Sequence, residues 1–282
     1  MLLRRYKYTV AKGAHKIKTK TAIVLSSVGL LMGGGSGLAI ATFSTAHADT
    51  GTVVVTPGDT QGWATQDGAP TYVSGPAGAD GVGSLKFVTD NTSTSKENYF
   101  HATSTPLSGV DGLGYMVDVD SGVPASYQLQ VTGVDRLDST TSTFTSLVWE
   151  PVYNGQANGP NGGFVTESNL ENGVWWSTHP IAGDPAGNNG FVSLSQIIAA
   201  NPNATVTAFG VNVGSGTPNA TSYVDDVAFN GTTYNFEPYV VATDKDACKN
   251  DGWKTLTASD GSSFKNQGAC VSYVASNGKS QH

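Results

Sequence analysis

Short segments in which apolar and polar residues alternate constrain this chain more than any other feature of its sequence. In residues 113–119 the apolar side chains Leu, Tyr, Val and Val occupy every second position, and residues 127–131 place Tyr, Leu and Val against two glutamines. A period of two puts alternate side chains on opposite faces of a β-strand, so that one face is buried and the other is solvated. Runs of Gly, Asn, Asp and Pro separate these segments, as is typical of turns. The pattern predicts an all-β, antiparallel sandwich of about nine to eleven strands.

Residues 193–237 carry the most consistent local signals. Ser193 and Gln196 have the spacing of a helix capping box, and Asn201-Pro202 ends the one short helix that the sequence predicts. Two alternating segments, residues 206–213 and 222–229, follow as strands. Asn230-Gly231 then predicts a tight hairpin, because both residues tolerate a positive φ.

Three short motifs resemble those of a known group of domains. These are Tyr-Val-Asp-Asp-Val at residues 223–227, Gly-Ser-Leu-Lys-Phe at residues 83–87, and Gly62-Trp63. Together they resemble the carbohydrate-binding-module and galactose-binding-like jelly rolls of secreted bacterial proteins, over residues 52–237. The resemblance implies a jelly-roll-like sandwich and a carbohydrate or cell-envelope polymer as the partner.

The first 48 residues have the pattern of a secretory signal peptide. Residues 1–20 hold seven basic residues and no acid, residues 21–40 are apolar and glycine-rich, and Ala46-His47-Ala48 supplies small residues for cleavage before Asp49. We therefore expect a secreted, extracellular protein, either free or associated with the cell surface, with no membrane span after cleavage. The alternative is an uncleaved membrane anchor, since about 20 residues can span a bilayer.

The chain that remains after cleavage is strongly acidic. All 22 acidic residues lie after residue 48 but only eight of the 15 basic residues do, so its formal net charge is −14. Nucleic-acid binding depends on neutralising phosphates with Lys and Arg, so DNA and RNA are not expected partners.

The two cysteines define a separate C-terminal element. Residues 49–237 are predicted to form the sandwich, residues 238–247 a linker, and residues 248–282 a tail closed by a Cys248–Cys270 disulfide. A metal site on two cysteines with no histidine between them would lack a ligand set, and a redox role would lack a close Cys-x-x-Cys pair. The tail resembles a short C-terminal element found on otherwise unrelated secreted bacterial proteins.

Aromatic and amide side chains are the candidates for sugar binding, because sugar rings stack on Trp and Tyr while amides and carboxylates bind the hydroxyls. Trp175 and Trp176 are adjacent, so in a strand they point to opposite faces and at most one faces the core. The alternative for each tryptophan is burial in the core, and Trp149 is assigned to the core in preference. The candidate ligand-binding residues are Trp175, Trp176, Trp149, Tyr153, Gln128, Gln130 and Glu150, with Asn212 and Trp63 as further candidates.

Asp225 and Asp226 resemble the paired acids near the last strand of jelly-roll modules, where one of them often helps to hold a structural calcium ion. Oxygen ligands suit this ion. The alternative is a buried acid that accepts hydrogen bonds from backbone N–H groups. Calcium is the only cofactor that the resemblance implies.

Three functions are compatible with these features. The preferred one is a secreted, non-catalytic protein that binds a carbohydrate or cell-surface polymer. The first alternative is a structural or adhesive surface protein that binds no sugar. The second is a glycosidase-like hydrolase that uses Glu150, since glycoside hydrolysis needs two facing carboxylates and Glu150, Glu167 and Glu171 are the glutamates of the central region. Glu167 and Glu171 fall in an apparent loop, where they are interpreted as solvating charges.

Overall fold

The computed structural model describes residues 51–157 and 159–279. The predicted signal peptide, residues 1–48, lies outside the described residues. No helix within the described ranges is both long enough and apolar enough to cross a bilayer.

Strands dominate the described part of the chain, and two α-helices accompany them. The helices are α1, Leu194–Ala200, and α2, Gln267–Ala275. In chain order the strands are β1 Gly51–Val55, β2 Trp63–Ala64, β3 Thr71–Ser74, β4 Gly83–Val88, β5 Glu97–Pro106, β6 Gly114–Ser121, β7 Ser126–Thr132, β8 Thr145–Trp149, β9 Val165–Ser168, β10 Val174–Ser177, β11 Val192–Ser193, β12 Thr205–Val213, β13 Thr221–Phe229, β14 Thr232–Phe236, β15 Val240–Val241 and β16 Leu256–Thr257.

Two seven-stranded sheets pack face to face and form the predicted sandwich. The first sheet has the order β1-β14-β13-β4-β3. On its other edge β13 pairs with β6, and β6 in turn pairs with β9. The second sheet has the order β11-β10-β8-β7-β12-β5-β2. All neighbours in these sheets are antiparallel except β1 and β14, which run parallel. The prediction of an all-β sandwich is confirmed.

The core lies between the two sheets and is built from the alternating apolar positions. Tyr127, whose side chain is fully buried, donates a hydrogen bond from its hydroxyl to the backbone carbonyl of Ala228 at 2.9 Å, which ties the second sheet to the first. Phe209 on β12 stacks on Phe229 on β13 with ring centroids 4.1 Å apart. Other buried residues from the two sheets are Leu85, Phe87, Tyr115, Val117, Leu129, Leu147, Trp175, Val211, Val224 and Phe236.

The local signals at the end of the sandwich form as predicted. Ser193 caps α1, and the reciprocal contacts with Gln196 complete a capping box. Asn230 and Gly231 have φ values of 50° and 83° and join β13 to β14, as the hairpin signal indicates.

The C-terminal tail has its own small core. Cys248 and Cys270 form the predicted disulfide, and Phe264 packs on Tyr273 beside it. Two details differ from the sequence prediction. Residues 267–275 form a second helix, and Val240–Val241, within the predicted linker, pairs in parallel with Leu256–Thr257 of the tail. The tail core therefore begins inside the linker, at Val241 and Ala242.

Candidate binding groove

A groove of about 400 Å³ crosses the outer face of the second sheet, on the side away from the core. Strands β10, β8, β7, β12 and β5 form its floor, and the loop that follows β2 forms part of its rim. Alternation within the strands assigns each side chain to the core or to the groove. Tyr127 and Leu129 are fully buried in the core, whereas Gln128 and Gln130 line the groove.

The hydrogen-bond register of the sheet arranges the groove side chains in rows across the strands. The middle row consists of Trp176, Val148, Gln128, Gly210 and Phe100, one from each strand from β10 to β5. With about 4.8 Å between neighbouring strands, this row extends about 19 Å along the sheet. An aromatic residue therefore stands at each end of the row.

A second row lies next to the middle row and is mostly polar. It places Ser126 on β7 beside Asn212 on β12, and Asn212 beside Asn98 on β5. Glu150, two residues beyond Val148 in an extended backbone, continues this row on the β8 side. The row offers hydroxyl, amide and carboxyl groups along one side of the aromatic row.

Gly210, at the centre of the sheet, is covered by its neighbour on β5. A Cβ atom at this position would lie 2.1 Å from the carbonyl oxygen of Tyr99 and 2.7 Å from Cδ1 of Phe100. The ring of Phe100 thus lies across the glycine, and only 6% of Phe100 is exposed. Gly210 is not among the predicted site residues. A glycine within a strand pattern often marks a close approach of this kind, and this is the sequence signal that could have identified the position.

A network of polar side chains forms the rim on the β2 and β5 side. The amide groups of Gln66 and Gln130 exchange two hydrogen bonds, of 3.1 and 2.7 Å. Asn98 accepts a hydrogen bond from the backbone N–H of Gln66 at 2.8 Å. Lys96 forms an ion pair with Asp67 at 2.8 Å, and this contact holds the pKa of the Asp67 carboxyl below its usual value. Of these five residues, only Gln130 is predicted from the sequence to bind a ligand.

Glu150 differs from Asp67 in its surroundings. Burial raises the pKa of the Glu150 carboxyl above its usual value. Among the described residues, none donates a hydrogen bond to this carboxylate or forms an ion pair with it. The groove therefore contains one paired carboxylate at its rim and one unpaired carboxylate on its floor.

The structure brings together some of the predicted ligand-binding residues and separates others. Trp176, Gln128, Gln130, Glu150 and Asn212 line the groove. Trp175 is fully buried, and its indole N–H donates a hydrogen bond to the carbonyl oxygen of Leu170 at 2.9 Å.

The remaining aromatic candidates lie outside the groove. Trp149 and Trp63 are 3% and 2% exposed and belong to the core, so their side chains are not available to a ligand. Tyr153 is half exposed, but it packs on Phe191 with ring centroids 4.3 Å apart and does not line the groove.

The two groove carboxylates are not arranged as a hydrolytic pair. Glu150 extends β8 and Asp67 contacts Asn98 on β5, so about three strand spacings, or about 14 Å along the sheet, separate them. Glycosidases need two carboxyl groups about 5–10 Å apart. Glu167 and Glu171 do not line the groove. This arrangement gives no support to the hydrolase alternative.

The predicted calcium residues lie in the first sheet, at a break in the register of β13. The Asp225 carboxylate is fully buried and accepts hydrogen bonds from the backbone N–H groups of Asp80 and Phe236, both at 2.9 Å. Asp226 has a φ of 49° and occupies the bulge. These contacts support the alternative of a buried acid bonded to the backbone.

Burial is the main influence on the pKa values of the Asp225 and Asp226 carboxyl groups. Burial raises the pKa of Asp225 to about 8, and burial together with the charge of Asp80 raises the pKa of Asp226 to about 6. One oxygen of Asp226 and the Oδ1 of Asn235 are buried without a hydrogen-bond partner. Within the described ranges, no group of three or more His, Cys, Asp or Glu side chains could hold a metal ion.

The sequence matches no protein-family model and no curated protein.

Proposed function

We propose that this protein is a secreted, non-catalytic protein that binds a carbohydrate or related cell-surface polymer in the groove of the second sheet. The observation that supports the proposal is the groove floor, where the half-buried ring of Trp176 lies at one end and the amide side chains of Gln128 and Asn212 lie further along. Sugar rings stack on aromatic faces, and amides bind hydroxyl groups in either direction because they donate and accept. The proposal that the protein is secreted rests on the signal-peptide pattern of residues 1–48. The Cys248–Cys270 disulfide is compatible with an oxidising compartment.

The dimensions of the groove favour an oligomer over a single sugar. The row from Trp176 to Phe100 crosses five strands, and its polar neighbours Asn98, Asn212 and Ser126 accompany it on one side. A ligand that lies across the strands would therefore meet the Trp176 ring at one end and the amide groups of Gln128 and Asn212 further along. The groove is open rather than enclosed by the two sheets, which suits internal units of a polymer.

A glycan array with the purified protein tests this proposal. We expect a set of related glycans to bind, and we expect Trp176→Ala to weaken binding by about tenfold or more, because it removes the stacking surface at one end of the row. Gln128→Ala should weaken binding by a smaller factor. Phe191→Ala is the matched control, since Phe191 is 45% exposed but lies outside the groove. An array without a bound glycan, or unchanged binding by Trp176→Ala, would contradict the proposal.

A further inference from the structure

The unpaired carboxylate of Glu150 points to the chemistry of the ligand. Its neighbour Trp149 faces the core, and the backbone of Glu150 stays extended, with φ −119° and ψ 132°, so the Glu150 side chain faces the groove. No described residue supplies a hydrogen-bond donor or a positive charge to it. A carboxylate that is partly removed from water without a partner is costly, and a ligand that supplies a partner would recover this cost.

The other charged groups of the groove do not neutralise Glu150. Among the described residues that line the groove, Lys96 is the only base, and it forms its ion pair with Asp67 about three strands away. Asp67 and Lys96 cancel each other, so the groove retains one negative charge, at Glu150.

Trp176 stands beside this charge. It pairs with Val148 on the adjacent strand, and Glu150 is two residues from Val148, so Trp176 and Glu150 are diagonal neighbours about 7–8 Å apart. A group held between them would contact a carboxylate on one side and an indole ring on the other. Indole faces attract cations, and carboxylates form strong hydrogen bonds with ammonium groups.

We infer that this end of the groove recognises a protonated amine, and that the polymer bound there is a glycan built from amino sugars with free amines. The inference rests on the proposed function and specifies its ligand class. An ammonium group has three donors and no acceptor, so it matches Glu150, whereas an acetylated amine carries no charge and presents a carbonyl oxygen. The net charge of −14 after residue 48 also favours encounter with a cationic polymer.

Two oligomers that differ only in acetylation test the inference. The glucosamine tetramer and the N-acetylglucosamine tetramer are titrated into the purified protein by isothermal calorimetry at pH 6. We expect the free-amine tetramer to bind about tenfold more tightly. Glu150→Gln should remove this preference by weakening the binding of the free-amine tetramer about tenfold, with less than a twofold change for the acetylated one.

Glu167→Gln is the matched control for non-specific attraction. It removes the same charge, its carboxyl is also partly buried with a raised pKa, and it does not line the groove. We expect this variant to keep the full preference for the free-amine tetramer. An equal loss in both variants, equal affinity of the two tetramers, or no binding of the free-amine tetramer would overturn the inference. If neutral glycans nevertheless bind on the array and Trp176→Ala abolishes that binding, the inference fails while the proposed function stands.

Discussion

The ring of Phe100 on β5 lies across Gly210 on the neighbouring strand β12, with Cδ1 only 2.7 Å from where a Cβ of residue 210 would be. The contact forms part of the groove floor. It also makes residue 210 a position at which a single added methyl group has no space.

We expect Gly210→Ala to destabilise the fold by about 1–3 kcal/mol, because the new methyl group would overlap the carbonyl oxygen of Tyr99 and the ring of Phe100. Chemical denaturation measures this difference. Gly109→Ala is the control, since a Cβ there meets nothing within 4 Å. Equal stability of the two variants would show that the floor is not packed as described.

The stability of the sandwich should depend on pH through Asp225 and Asp226. Their pKa values in the folded chain are about 8 and about 6, above the value of about 4 for an unfolded aspartate, so the folded chain binds protons more strongly. The resulting stabilisation is fully present below about pH 4 and is lost as the pH rises through 6 and 8. We expect the free energy of unfolding to fall by about 5 kcal/mol between about pH 5 and about pH 9, with about 4 kcal/mol from Asp225 and about 1 kcal/mol from Asp226.

Denaturation curves across this pH range measure the effect, and Asp225→Asn should flatten the part of it above about pH 7, since the amide does not titrate. Asp111→Asn, at an exposed acid in a loop, should leave the profile unchanged. Stability that increases from about pH 5 to about pH 9 would show that Asp225 is ionised in the folded chain.

Calcium binding at Asp225 and Asp226 is tested by chelation. Both oxygens of Asp225 accept hydrogen bonds from the backbone, so we expect a chelator, or added Ca²⁺, to move the melting temperature by less than about 1 °C. Differential scanning calorimetry provides the measurement. A rise of several degrees with Ca²⁺, abolished by Asp226→Asn, would establish a calcium site that these contacts do not explain.

Reduction of the Cys248–Cys270 disulfide should unfold the tail and leave the sandwich intact. The bridge closes a loop with a sequence separation of 22, and such a loop contributes roughly 3 kcal/mol by restricting the unfolded chain. The tail core is a cluster of its own, distinct from the core between the sheets. Limited proteolysis followed by mass spectrometry should show cleavage within residues 248–270 only after reduction. Cleavage inside the sandwich under the same conditions would show that the two cores depend on each other.

Alternation along single strands was sufficient to predict the sandwich and part of the groove. The pattern of residues 127–131 assigns Gln128 and Gln130 to the face opposite the core, because opposite faces follow from the backbone of one strand. The choice between Trp175 and Trp176 could not be made in this way. It depends on which residue of β10 packs against Tyr127, and that contact joins residues far apart in the sequence.

The rim of the groove could not be predicted for a related reason. The rim contains Gln66, Asp67, Lys96 and Asn98. They reach the groove because β5 lies beside β12 and β2 lies beside β5, and a strand order of this kind is set by the tertiary packing. Glu150 was selected from sequence as a candidate, but its lack of a partner became visible only when Lys96 was found bonded to Asp67.

The outermost strands of the groove sheet, β2 and β11, have two residues each. Strands this short present few free backbone N–H and C=O groups to another chain, and longer exposed edges are the usual template for intermolecular pairing. At β11, and over the part of β5 that β2 covers, the groove sheet therefore offers another chain little backbone with which to extend it.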